Sequence, residues 1–246
     1  MHLLRIPWRT VLIMLHLLAG VLLVPVATRR NSGSRRQVDW RIVRWWHHRL
    51  LRILNLRIEV HGEPPAPPAL VVANHVSWLD ITVLGYLLPT AFLSKAEVRR
   101  WPLIGWLAMR MGTLFIRRGS GQSAQIRGAI AERLRHGSML ALFPEGTTSD
   151  GRSVRPFFSR LFAAAIEAGA PVASVALRYR VDGHHDPVAP YTGDQTLLAN
   201  LLGLLGRPGS TIEVHFLPLL ASANSDSKTL ATRAREAIVT VVEDHA

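Results

Sequence analysis

Apolar positions along this chain follow three rhythms. Residues 11–27, "VLIMLHLLAGVLLVPVA", form an apolar run interrupted only by His16. Over residues 38–54, Val38, Ile42, Trp45, Trp46, Leu50, Ile53 and Leu54 recur at helical spacing, with Arg41, Arg44, His48 and Arg52 on the opposite side. Beyond residue 55, short apolar runs near 56–60, 69–73, 90–94, 112–116, 138–143, 172–177 and 211–216 predict strands. Helical periodicities near 78–88, 123–136, 158–168 and 194–205 separate them, and a last helix near 227–243 turns Leu230, Ala234, Ile238 and Val242 inward. This alternation predicts an α/β fold with a mixed, largely parallel sheet flanked by helices.

The two leading segments predict an N-terminal membrane-binding helical hairpin, one arm inserted and one lying flat. The 17 residues of the apolar run reach about 25 Å as a helix, short of the roughly 30 Å hydrocarbon core. Trp8 and Arg9 flank one end, and Arg29, Arg30, Arg35 and Arg36 crowd the other. That asymmetry predicts an inner-membrane protein whose remaining residues lie on the cytoplasmic side. A cleaved signal peptide ending at Ala27 is the alternative, but it would put Pro25 at the −3 position, a poor match. A buried helix is the third. The tryptophan-rich basic segment suits an anionic bilayer surface; otherwise it packs on the core with a solvated arginine face. The expected division is a membrane anchor at 1–55 and a globular domain at 56–246.

Composition sharpens this picture. The 246 residues carry a formal charge of +12, and only Lys95 and Lys228 are lysines among 29 basic residues. Such a chain seeks anionic partners: nucleic acid, anionic lipid or an acidic carrier protein. No nucleic-acid-binding motif occurs, and the arginines concentrate beside the N-terminal apolar segment, so nucleic acid is not expected. Without cysteine, disulfides, thiolate nucleophiles and thiolate metal sites are excluded.

The first chemistry lies in "VVANHVSWLD", where an apolar strand runs into His75 and Asp80. Ser77 and Asp80 have the S-x-x-D spacing of a helix start, so Asp80 can simply complete a capping box. Across a strand-to-helix turn the same spacing lets an aspartate hold one imidazole nitrogen and leave the other as a base. Later, "GTLFIRR" (112–118) and "SMLALFPEG" (138–146) are strands ending in two arginines and in Pro-Glu-Gly.

Together these segments resemble the glycerolipid acyltransferases typified by 1-acylglycerol-3-phosphate acyltransferase. That family carries N-H-x-x-x-x-D, G-x-x-F-I-x-R and F-P-E-G-T in this order, found here at Asn74–Asp80, Gly112–Arg118 and Phe143–Thr147. The resemblance covers roughly residues 56–220. It implies that His75 deprotonates an acceptor hydroxyl, which attacks an acyl thioester of acyl carrier protein or coenzyme A, and that Asp80 orients the imidazole. It implies that Arg118, with Arg117 beside it, holds an anionic acceptor group; that Glu145, Gly146 and Thr147 line the acceptor site; and that Lys95 is a further cation. No cofactor or metal is called for. The bland alternative for each arginine is a solvated surface charge.

Two positions depart from the family pattern. Thr148 stands where F-P-E-G-T-R has arginine, and Ser174 in "VASVAL" stands where V-P-V has proline. The wording "FLSKAEVRRWPLIGWLA…GTLFIRRG…FPEGTTSDG" looks more like the lyso-ornithine lipid acyltransferase branch. The acceptor is thus open between lysophosphatidate and a lyso-ornithine lipid. Two rivals from other classes remain. Gly119–Ala124, "GSGQSA", matches a dinucleotide-binding G-x-G-x-x-A, although two arginines separate it from the strand. A non-catalytic basic membrane adaptor would also suit the charge. His184 and His185 lack metal-ligand spacing and read as loop.

Overall fold

A computed structural model describes residues 2–30, 36–117, 121 and 123–243. The apolar run lies within a longer helix, α1 (His2–Ala27). A short antiparallel ribbon of β1 (Thr28–Arg30) and β2 (Arg36–Val38) leads to α2 (Trp40–Ile53), which Asp39 caps by accepting from the Arg41 N–H. Then come β3 (Leu56–His61), β4 (Ala69–Ala73), α3 (Leu79–Leu87), β5 (Thr90–Lys95), α4 (Ile104–Arg110), β6 (Leu114–Ile116), α5 (Ser123–Arg135) and β7 (Met139–Leu142). The chain ends with α6 (Ala163–Ala168), β8 (Val172–Val181), β9 (His184–His185), α7 (Leu197–Gly206), β10 (Ser210–Phe216) and α8 (Ser227–Val242).

Eight strands make one sheet in the order β3-β10-β8-β4-β7-β5-β6, with β9 paired to the end of β8. β8, β4, β7, β5 and β6 run parallel, while β10 opposes β8 and β3 follows β10. The expected mixed, largely parallel sheet is what the chain forms. All five side chains of β4 are buried, as a strand covered on both faces requires. Ala69, Val71 and Ala73 pack toward α2, α3 and α7, whereas Leu70 and Val72 pack toward α5, α6 and α8.

Three local readings change. The helix expected over 158–168 splits into a 3₁₀ turn at Ser159–Phe162 followed by α6; the tighter turn carries Phe162 into the core ahead of Ala164 and Ala165. His184 and His185 are not loop but pair with the end of β8, because Asp182 and Gly183 both take positive φ (50° and 78°) and close a tight hairpin. In α2 the buried stripe is Val43, His47, Leu50, Leu51 and Ile53, while Trp45 faces out under the Arg49 guanidinium. The shift follows from packing: α2 is gripped by α3 on one side and α1 on the other. Arg41, Arg44, His48 and Arg52 are exposed, as their spacing predicts.

His47 stands over Gly85 of α3, where a Cβ would fall 2.5 Å from its Nε2, so only glycine fits there. Burial, with His16 nearby, drives the His47 imidazole down to about 3 and keeps it neutral in this seam. On α1, Ile13, His16, Val24 and Ala27 face the protein, while Trp8, Val11, Met14, Leu15, Leu18, Leu22 and Val26 form an exposed apolar ridge on the other side. The helix is tied down at both ends. Arg9 donates to the Leu205 and Arg207 carbonyls at the end of α7, and Ala27 O accepts from the Asp39 N–H.

Candidate active site

The parallel strands β4, β7, β5 and β6 all end at one edge of the sheet, and the predicted functional residues collect there. His75 follows β4, Glu145 follows β7, Lys95 ends β5 and Arg117 follows β6. In open α/β sheets this edge, outside the strands' carboxyl ends, is where ligands bind. Strand spacing puts the ends of β5 and β6 roughly 10 and 14 Å from that of β4.

The catalytic turn begins where β4 stops pairing. Asn74 replaces the backbone ladder with its side chain: its amide donates to Leu177 O at 2.9 Å, and its oxygen accepts from Leu177 N at 2.8 Å. The backbone of 75–77 is thereby freed to curl around Asp80. One Asp80 oxygen, Oδ2, accepts from His75 Nδ1 at 2.7 Å, Val76 N at 2.8 Å and Ser77 N at 2.9 Å. The other, Oδ1, accepts from the Tyr179 hydroxyl at 2.5 Å. Asp80 makes the acidic half of a capping box through Ser77 N, yet the serine hydroxyl makes no reciprocal bond and Trp78 is the N-cap. The capping and catalytic readings of Asp80 are therefore one geometry.

A carboxylate with four donors can only accept, so His75 carries its proton on Nδ1 and leaves the lone pair on Nε2. The imidazole lies flat against Phe143, ring centroids 4.0 Å apart, with the side chain 18% exposed toward the sheet edge. Asp80 itself is fully buried. An imidazole fixed this way can take a proton from a hydroxyl brought to its open side.

Glu145 sits beneath this turn. Its carboxylate accepts from His75 N at 2.7 Å and from Arg155 N at 3.1 Å, stapling the catalytic turn to the segment after β7. Burial pushes the Glu145 carboxyl up, and those two N–H groups offset only part of that, so it stays above its usual range. Gly146, at φ +70°, turns the chain away in a conformation that glycine adopts freely. Glu145 and Thr147 border a cleft of about 330 Å³ with Arg155, Pro156, Phe157 and Phe158. A second cleft of about 430 Å³ lies at the ends of β5 and β6, lined by Ala96, Glu97, Arg99, Arg100, Met109 and Arg117. Lys95 is exposed beside it, its Cα paired with that of Ile116. Arg118 lies outside the described residues, as do Gly119, Ser120 and Gln122 of the glycine-rich stretch. Among the described residues no cluster of three His, Asp or Glu side chains could hold a metal.

Sequence reasoning missed Tyr179, because its contact with Asp80 spans 99 residues and leaves no local pattern. It also missed Arg155, Phe157 and Phe158, whose placement depends on the Glu145 staple. The one available hint was the adjacent pair of phenylalanines in "RPFF", of which Phe158 is exposed and Phe157 packs against the core.

A family model described as Acyltransferase matches residues 57–178. The chain is 50% identical over 198 residues to the lyso-ornithine lipid O-acyltransferase of Pseudomonas aeruginosa, covering 80% of this chain and 77% of that one. It is 36% identical over 200 residues to the 1-acyl-sn-glycerol-3-phosphate acyltransferase of Neisseria gonorrhoeae, covering 80% and 78%. Its fold is similar to the crystal structure of the 1-acyl-sn-glycerophosphate acyltransferase from Thermotoga maritima, with a TM-score of 0.73 at 22% identity over 99% and 95% of the two chains.

Proposed function

Because the chain belongs to the acyltransferase family, we propose that it moves a fatty acyl group from an acyl thioester to the free hydroxyl of a membrane lysolipid. The observation that carries this reading is the 2.7 Å contact of His75 Nδ1 with buried Asp80, which leaves Nε2 outside that bond. His75 Nε2 takes the acceptor's proton as its oxygen adds to the thioester carbonyl. The tetrahedral adduct then expels the thiolate, which leaves with that proton, so ester and thiol are the products. A positioned base of this kind contributes about 10²–10⁴-fold. Asp80 stabilises the imidazolium that forms between the two steps.

The two clefts suit two different substrates. Arg99, Arg100 and Arg117, with Lys95 and Arg118 nearby in sequence, suit the ionic head of the acceptor. The cleft of Pro156, Phe157 and Phe158 beside Glu145 suits the apolar thioester arm of the donor, with Arg155 meeting an anionic carrier. Acyl carrier protein and coenzyme A are both strongly anionic and fit this surface. A lyso-ornithine lipid is favoured over 1-acyl-sn-glycerol-3-phosphate. The support is the 50% identical relative of that name, and Thr148 where a phosphate-binding arginine would stand.

Residues 1–55 serve in this reading as the membrane-seating part and 56–246 as the catalytic part. The exposed ridge of α1 faces lipid, and Leu198 and Leu202 of α7, which packs on α1, add apolar surface. A helix tied to the core at both ends cannot carry one end across a bilayer alone, so α1 lies in one leaflet, the cytoplasmic leaflet of the inner membrane. The test is acyl transfer by membranes carrying the full chain, assayed with acyl-carrier-protein and coenzyme A thioesters and with both lysolipids. His75→Ala is expected to lose at least about 10³-fold while remaining with the membranes. Turnover within threefold of the parent sinks the general-base role.

A further inference from the structure

We propose that Tyr179 is the third member of the catalytic assembly: a positioning residue whose hydroxyl fixes the plane and the charge of Asp80, and through it the basicity of His75. This rests on the general-base reading of His75 given above.

Asp80 Oδ2 already holds three donors, all from the turn itself: the His75 ring and the Val76 and Ser77 N–H groups. These three share one oxygen, so they leave the carboxylate free to pivot about it. Tyr179 reaches the other oxygen from β8, a strand separate from the turn, and removes that freedom. Its ring is clamped in the main core, and its backbone is fixed on both sides, by pairing with Ile212 of β10 and by accepting from the Asp186 N–H at 3.0 Å. The hydroxyl therefore arrives at Oδ1 with little freedom of its own.

The hydroxyl also tunes charge. A phenol donating to a carboxylate draws electron density toward Oδ1 and away from the oxygen that faces His75. Without it, more negative charge faces the imidazole, and the protonated ring is held more tightly. Such a base gives up its proton to the departing thiolate less readily. Burial and the Asp80 charge hold the Tyr179 phenol well above its usual range, so it remains a donor throughout the working pH range. The other charged groups facing this assembly are accounted for. Glu145 lies under the His75 backbone, and the buried Asp186 behind Tyr179 is neutralised by its ion pair with Arg207. None of them supplies a replacement donor to Oδ1.

The experiment compares Tyr179→Phe with the parent over pH, using the full membrane-bound chain and a saturable thioester donor. Three results are expected together. The kcat falls by roughly ten- to a hundredfold, as loss of a charge-assisted hydrogen bond implies. Both KM values stay within about twofold of the parent. The acid limb of the kcat/KM profile moves to higher pH. Site-specific 3-fluorotyrosine at position 179, a stronger donor of nearly the same shape, moves that limb the opposite way. An unshifted limb with either replacement overturns the proposal, and so does a loss carried by KM. If the phenylalanine variant does not fold, the fluorotyrosine arm alone decides by the sign of its shift. An inactive His75→Ala beside a normal Tyr179→Phe overturns this inference and leaves the general base standing. An active His75→Ala removes the general base itself.

Discussion

At the end of β4, Asp80 is wholly buried and holds four donors; at the ends of β5 and β6, Lys95, Arg99, Arg100 and Arg117 stand exposed on the same edge of the same sheet. The first group is anchored from the turn, from β8 and, through Glu145, from the segment after β7. The second sits on a strand end and a 3₁₀ turn at Ala96–Arg100. In the proposed reaction the two ends would have different tasks. Proton transfer fails when a base moves by an ångström, so it needs groups that packing holds in place. Capturing a lipid head that arrives from a membrane needs charge at long range and tolerates loose geometry. On the proposed reading, buried order and exposed charge are two demands of one reaction, met about 10–14 Å apart.

The comparison breaks most visibly at Asp80. Asp80→Asn keeps shape but presents an amide where three donors converge, so the imidazole loses its tautomer and orientation. A fall in kcat of about 10³–10⁴-fold is expected, with little change in KM and no dependence on added salt. Steady-state kinetics at low and high ionic strength check this. A loss that salt modulates would mean the buried end also works by long-range charge.

The cationic end should behave in the opposite way. Arg99→Ala with Arg100→Ala is expected to raise the acceptor KM about three- to tenfold at low ionic strength and leave kcat nearly unchanged. The effect should fade near 0.5 M salt, where the screening length is only about 4–5 Å. A salt-independent loss, or one borne by kcat, would place these arginines with the fixed machinery.

How legible each end was in the sequence follows the same division. Lys95 and Arg117 were visible as cations near strand ends, whereas Arg99 and Arg100, on the 3₁₀ turn after β5, were not singled out as site residues. His75 and Asp80 were visible because both sides of their contact lie within one turn. The sheet was legible for the same reason: β4 was predicted at 69–73 and forms at Ala69–Ala73, since its apolar run is short and bounded. What stayed hidden was set by distant packing. Tyr179 is an unremarked tyrosine in "ALRYR" until β8 lies beside β4. Glu145 was expected to line the acceptor site from its motif; that its carboxylate bonds His75 N and Arg155 N depends on two loops meeting. The buried stripe of α2 was read in part: Leu50, Ile53 and Leu54 are buried as expected, but Val43, His47 and Leu51 were missed, because hydropathy cannot report that α1 and α3 grip the helix from two sides, or that His47 is the residue that fits over Gly85.

The last expected effect lies beside the turn after β4, at Thr148. This half-buried side chain donates its hydroxyl to Tyr191 O, and Tyr191 N donates to Val76 O at 2.9 Å, so it ties the loop after β9 to the catalytic turn. A threonine here offers one neutral donor, already used. An arginine offers a planar fork suited to phosphate, and its long stem can carry that fork outward to the acceptor. Thr148→Arg is therefore expected to change preference more than rate. The kcat/KM ratio of 1-acyl-sn-glycerol-3-phosphate to the lyso-ornithine lipid should rise about three- to tenfold, the scale of one partly solvated charge-assisted pair. Thr148→Val separates the two roles of the position. It removes the tie to Tyr191 without adding charge, so it should lower turnover of both acceptors by a similar factor and leave their ratio alone. If valine shifts the ratio as far as arginine does, acceptor choice comes from the shape of the tied loop rather than from a missing cation. If arginine leaves the ratio unchanged, the choice is made at the cationic cleft, and the open end of the sheet sets specificity as well as capture.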